Sequence, residues 1–283
     1  MNIRNWTKNT LRRFGYDLRK ITLTPDGAGS PVRHKPAARL AGVDYNDEPA
    51  IERLLFICGL HRSGTTLLER MLVNRFDLAC LRADVHESEG QHMQGVYSPA
   101  YKFGGPGYFA FSTAMRRELD TLTDYPRHRQ EILDAWQRFV VGTSNVLIEK
   151  SPPNLTKITW LRRVFPGARF VILLRDPRAV SAATQKWSKN SLPELMMHWN
   201  VAYHLAEKDF DPADCCHVRY EDLCTQPDAV LERIGAFAGL AQRFDTGGIE
   251  ARFADLANTN GKYLSMHDCE YGDGVWSRFG YQS

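Results

Sequence analysis

A chain of 283 residues with 43% hydrophobic and 24% charged residues has the make-up of an ordinary globular protein, long enough for one large α/β domain or two small ones. The formal net charge of +3 is too small to point to nucleic acid as a partner. Six cysteines, Cys58, Cys80, Cys215, Cys216, Cys224 and Cys269, follow no metal-ligand spacing and no secretory pattern stands before them, so reduced thiols, a cytoplasmic location and no bound metal are expected. The apolar runs around Leu54–Leu60 and Phe170–Leu174 fall well short of the roughly 20 residues that cross a bilayer.

Nine Lys and Arg residues stand before residue 40 against Asp17 and Asp26. Ile3, Trp6, Leu11, Phe14 and Leu18 alternate there with Arg4, Lys8, Arg12, Arg13, Arg19 and Lys20. Residues 1–20 could form a basic amphipathic helix on an anionic membrane surface, or one that docks on the domain or a partner, or one that frays. Pro25, Gly27, Gly29, Pro31 and Pro36 then mark a linker, giving a basic arm and linker over residues 1–50 and one domain over 51–283.

Leu54–Cys58 is a continuous apolar run stopped by Gly59, the pattern of a strand buried on both faces of a parallel sheet. Leu67, Leu68, Met71 and Leu72 then carry a helix spacing. Strand-like runs recur at Val146–Ile148, Arg169–Leu174 and His217–Tyr220, with helices expected around Leu155–Phe165 and after Asp176. Strands alternating with helices predict an α/β fold, a doubly wound and mainly parallel sheet flanked by helices, whose ligands lie beyond the strand carboxyl ends.

The polar residues of interest fall at those ends. Gly59-Leu60-His61-Arg62-Ser63-Gly64-Thr65-Thr66 has the glycine spacing of a phosphate-binding loop, in which backbone N–H groups and the helix dipole cradle an anion. A nucleoside-triphosphatase loop carries lysine where Thr65 stands, so the cation here is Arg62 and the anion is not a triphosphate in the usual pose.

These residues resemble the sulfotransferases that use 3′-phosphoadenosine 5′-phosphosulfate (PAPS), closest in motif style to bacterial and tyrosylprotein-type members. Their phosphosulfate loop commonly reads P-R-S-G-T-T, against His61-Arg62-Ser63-Gly64-Thr65-Thr66 here. Phe170–Arg178 is similar to the family's 3′-phosphate element, which implies Arg175 as the phosphate arginine; the family serine is replaced by Ala183, leaving Ser181, Thr184 or Lys186 to supply its hydrogen bond. Arg219–Leu223 resembles the segment whose tyrosine lies against adenine, implying Tyr220, and Lys262 is a candidate to return a cation to the 3′-phosphate. The resemblance thus implies a P-loop-like sulfotransferase fold, PAPS as donor with PAP as product, and no metal.

Glu149-Lys150-Ser151-Pro152 resembles the segment that supplies a lysine at the bridging oxygen. Breaking the S–O bond develops charge on the leaving phosphate, which Lys150 and Arg62 can meet. A base must take the proton of the hydroxyl acceptor, whose identity is open, and the candidates are Glu89, then Glu87, then His92. The aromatics of Tyr97–Phe111 either wall an acceptor pocket or anchor a loop to the core, and His198-Trp199 is read as packing. Two other readings stand beside this one: a P-loop kinase or NTPase, and a non-catalytic nucleotide-binding protein of the same fold. Convergence of Lys150 and Glu89 favours transfer over binding alone. The oligomeric state is open.

Overall fold

A computed structural model describes residues 36–243 and 256–282. The expected arm helix over residues 1–20 and most of the linker lie outside the described residues.

Six strands form one sheet: β1 Arg53–Cys58, β2 Ala79–Leu81, β3 Val140–Val141, β4 Val146–Lys150, β5 Arg169–Leu174 and β6 Cys215–Arg219. Their order is β3-β2-β4-β1-β5-β6, with every pairing parallel except β2 with β3. β1 is therefore central, and the chain winds to one side through β4 and to the other through β5. That reversal opens a crevice beyond the carboxyl ends of β1, β4 and β5, where a doubly wound sheet binds its ligands.

The central strands read as unbroken apolar runs because helices cover both faces. Leu54 through Cys58 and Phe170 through Leu174 are all buried, and Phe56 stacks on Phe170 with ring centroids 5.5 Å apart. Each such side chain contributes roughly 1.5–3 kcal/mol of burial. The helices are α1 Thr65–Arg75, α2 Thr113–Thr121, α3 Tyr125–Gln137, α4 Ile158–Val164, α5 Pro177–Thr184, α6 Leu192–Glu207, α7 Tyr220–Thr225, α8 Pro227–Ala238, α9 Gly261–Leu264 and α10 Val275–Arg278. The helix expected over 155–165 is split, with a 3₁₀ turn at Pro152–Thr156 ahead of α4. The break falls at Lys157, whose φ of −126° and ψ of 7° leave the helical range.

A compact unit starts at Pro36. Residues 36–50 are tied to the sheet edge by backbone bonds: Asn46 N donates to Val140 O at 2.9 Å and Asp84 N to Ala38 O at 2.8 Å.

One buried group works against the fold. Lys157, at the head of α4, is 2% exposed, its Nζ has no hydrogen-bond partner among the described residues, and it sits 3.9 Å over the Tyr97 ring. Burial lowers its pKa to about 7, against the nearby carboxylates Glu149, Glu118 and Glu89, which raise it. The unfolded lysine holds its proton up to about pH 10.4, so between those values the unfolded state binds more protons and stability rises with pH. Lys157→Met keeps the contact with the ring and removes the charge. The variant is expected to gain on the order of 1–3 kcal/mol at pH 7 or below, with the gain shrinking toward pH 10. Denaturant midpoints across that range check it, and an equal or lower midpoint at pH 7 contradicts it.

Candidate active site

The Gly59–Thr66 loop joins β1 to α1 through two left-handed residues, Arg62 at φ 68° and Gly64 at φ 100°. A non-glycine residue there costs of order 1–3 kcal/mol unless its surroundings hold it. Arg175 does so, donating from Nη1 to the Arg62 carbonyl at 2.7 Å. Gly64 is required by space as well as by φ, since a Cβ there would lie 2.8 Å from the Tyr220 ring. No side chain caps α1, so its first N–H groups stay open at the cleft.

That cleft has a volume of about 290 Å³ and is lined by His61, Arg62, Gly64, Thr65, Thr66, His86, Glu87, Glu89, Arg175, Trp187 and Tyr220, with Leu67 and Pro152. Most of the sequence-predicted site residues are thus on one surface. Arg62 lies over the Trp187 ring at 4.8 Å, and Trp187 is half exposed. Arg175 crosses the Tyr220 face at 4.1 Å and spends Nε on Asn260 Oδ1 and Nη2 on Thr259 Oγ1, which leaves a second N–H on each of Nη1 and Nη2 for an anion.

Lys150 ends β4 with its Nζ 3.0 Å from the Glu87 carbonyl and 3.6 Å from Glu89 Oε1. Glu87 and Ser88 are left-handed, at φ 47° and 49°, and this twist turns the Glu87 carbonyl to the lysine while its side chain stays exposed. Glu89 is buried and accepts from Gln91 Nε2. Burial raises its carboxyl above the ordinary range, opposed by Lys150 and by the Gln91 hydrogen bond. A carboxylate raised in this way is a stronger proton acceptor than an ordinary one.

Several expected contacts fall elsewhere. Ser63 is fully buried and its Oγ donates to Leu60 O at 2.6 Å, so it braces the loop from inside. Ser181 and Thr184 do not reach the cleft; with His61 and His198 they line a void of about 10 Å³ behind it, because α5 turns that face inward. Lys262 is exposed on α9 and does not line the cleft. His92 stands behind Glu89, with Nε2 3.7 Å from Glu89 Oε2 and its ring stacked on Tyr101. His61 has its pKa lowered to about 3 by burial first and then by the neighbouring His198, His86, Lys150 and His92, and its ring meets Phe109 edge-on.

The aromatics of Tyr97–Phe111 anchor their loop, with Tyr97 and Phe109 in the core and none lining the cleft. His198 accepts from Ala110 N, and Trp199 donates to the Arg175 carbonyl at 3.2 Å. Sequence reasoning missed Trp187, Gln91 and the Thr259–Asn260 pair. Their only signal was proximity in the chain to residues singled out for the site, Thr184 for Trp187, Glu89 for Gln91 and Lys262 for the pair.

The model of the Sulfotransferase family matches residues 55–245. The chain belongs to the sulfotransferase family. Relatives within it include protein-tyrosine sulfotransferase 1 of Danio rerio, 28% identical over 204 residues, covering 66% of this chain and 53% of the relative. Protein-tyrosine sulfotransferase 2 of Gallus gallus is 26% identical over 206 residues, covering 66% and 51%. The chain spans about half the length of the curated relatives it matches. Among solved structures, the sulfotransferase domain of the Synechococcus PCC 7002 olefin synthase is 17% identical with a TM-score of 0.47, over 85% of this chain and 99% of that one.

Proposed function

We propose that this member of the family transfers a sulfuryl group from PAPS to an aromatic hydroxyl. The observation that carries the reading is the meeting of a buried cation and a buried carboxylate, Lys150 and Glu89, of which Glu89 lines the cleft that holds the uncapped phosphate loop. A binding protein has no use for that pair, since burying two charges costs several kcal/mol that only good pairing or function offsets. A kinase reading lacks the loop lysine.

The residues fit the donor. Backbone N–H groups of the loop, the Thr65 and Thr66 hydroxyls and Arg62 suit the phosphosulfate end, and the free N–H groups of Arg175 suit a further phosphate beside the Tyr220 ring. Attack by the acceptor oxygen forms one S–O bond and breaks the S–O bond to the 5′-phosphate. Glu89 takes the acceptor proton, while Lys150 and Arg62 meet the charge left on the departing phosphate. An aromatic acceptor is supported by the half-exposed Trp187 at the cleft wall and by the tyrosine specificity stated in the names of the two vertebrate relatives.

Calorimetric titration tests the donor. PAP is expected to bind at least about tenfold more tightly than the analogue lacking the 3′-phosphate, a difference of about 1.4 kcal/mol, and more tightly than ATP with Mg²⁺. Preference for Mg·ATP would overturn the reading. Transfer to 4-nitrophenol but not to a simple alkanol tests the acceptor class.

A further inference from the structure

Glu149 is the group that this mechanism leaves unused. It precedes Lys150 on β4, is 1% exposed, and does not line the cleft. Its Oε1 accepts from Gly90 N at 2.9 Å and from Ser151 Oγ at 2.6 Å, and its Oε2 accepts from Asn154 Nδ2. Ser151 Oγ in turn accepts from Gln91 N at 3.2 Å, and Trp136 Nε1 donates to Gly90 O at 3.0 Å. The polar groups of two consecutive peptide units, on either side of Gly90, are thereby fixed to the body of the domain. A side chain at Gly90 cannot share this space, since a Cβ would lie 2.7 Å from Glu149 Oε1 and 3.0 Å from the Trp136 ring.

A buried carboxylate with donors on both oxygens is costly to place and is rarely better for stability than an apolar residue of similar size. What it secures here is the segment that carries Glu89, which follows the two left-handed residues Glu87 and Ser88 and would otherwise relax from them. Gln91, held through its own N–H and by its Oε1 accepting from Ala100 N at 2.9 Å, presents its amide to the Glu89 carboxylate. The chain of contacts from Glu149 thus ends on Glu89 Oε2, the other oxygen of the carboxylate whose Oε1 faces Lys150.

We propose that Glu149 is a positioning residue for sulfuryl transfer: by clamping the peptide units around Gly90 it holds the Glu89 carboxylate at Lys150. The proposal rests on the reading of Glu89 as the base. Glu149→Ala removes the clamp. Glu149→Gln keeps an acceptor for Gly90, and Asn154, whose Oδ1 is buried without a partner, can turn over to accept from the new amide.

The test compares Glu149→Ala, Glu149→Gln and Glu89→Gln by PAP titration, by amide hydrogen exchange of residues 86–92, and by kcat and KM with PAPS and 4-nitrophenol. Glu149→Ala is expected to bind PAP within about threefold of the parent, to exchange faster at Gly90 and Gln91, and to lose about 10²-fold in kcat with KM little changed. Glu149→Gln is expected to recover most of that loss. Unaltered exchange in Glu149→Ala overturns the proposal, as does faster exchange with undiminished kcat, or a kcat loss matched by an equal loss of PAP affinity. Full turnover in Glu89→Gln removes the base itself and the proposal with it. A silent Glu89→Gln beside an active Glu149→Ala removes the clamp alone.

Discussion

Lys150→Met is expected to turn over about 10²–10³-fold more slowly than the parent while binding PAP nearly as well. The substitution conserves length and packing, so the strand end at Lys150 stays filled. What it removes is the ammonium that touches the Glu87 carbonyl and Glu89. Without that cation the departing phosphate meets only Arg62, which is held on Trp187 at the opposite wall. Burial of Glu89 would also go unopposed by its largest favourable neighbour, so the Glu89 carboxyl rises further and the acid side of the rate profile moves to higher pH. Single-turnover transfer to 4-nitrophenol separates the chemical step from product release. Parental single-turnover rates in this variant would remove Lys150 from the mechanism.

Glu89→Gln is expected to cost about 10²–10⁴-fold in kcat, the range for a lost general base. The amide is isosteric, but its single oxygen can either accept from Gln91 or face Lys150, so the pH profile and not the rate alone reports the lost proton transfer. In the parent, burial holds the carboxyl above its ordinary range. The base works when ionised, so kcat is expected to fall as pH drops through that raised value, with the acid limb above the usual carboxylate range. The limb is expected to vanish in the variant. A variant that keeps both the rate and the limb would pass the role to Glu87 or His92. Of these, Glu87 lines the cleft and His92 stands 3.7 Å from Glu89 Oε2.

Much of the architecture was legible because it is written in contiguous stretches. The runs at Leu54–Cys58, Val146–Ile148 and Arg169–Leu174 are the strands β1, β4 and β5, and the loop between β1 and α1 is recognisable from its glycines. β2 and β3 escaped notice because three and two residues are too few to show a period. Ser181 and Thr184, expected at the 3′-phosphate, stand away from the cleft for another reason. Both lie on a helix whose start was predicted, but the face that meets the loop depends on how α5 packs, and that face is turned to His61 and His198.

What the sequence by itself determined is the sheet, the family-like order of its motifs and the residue types that meet phosphate and sulfate. Each of these depends on local backbone preference and on apolar runs that must be buried. Only the tertiary structure decided which member of the 86–92 cluster stands at Lys150. That choice follows from left-handed backbone at Glu87 and Ser88 and from a Glu149–Gly90 contact between residues 59 positions apart. A carboxylate in a polar run carries no mark of its own burial. Its role is set when a distant strand end and a buried acid close on it.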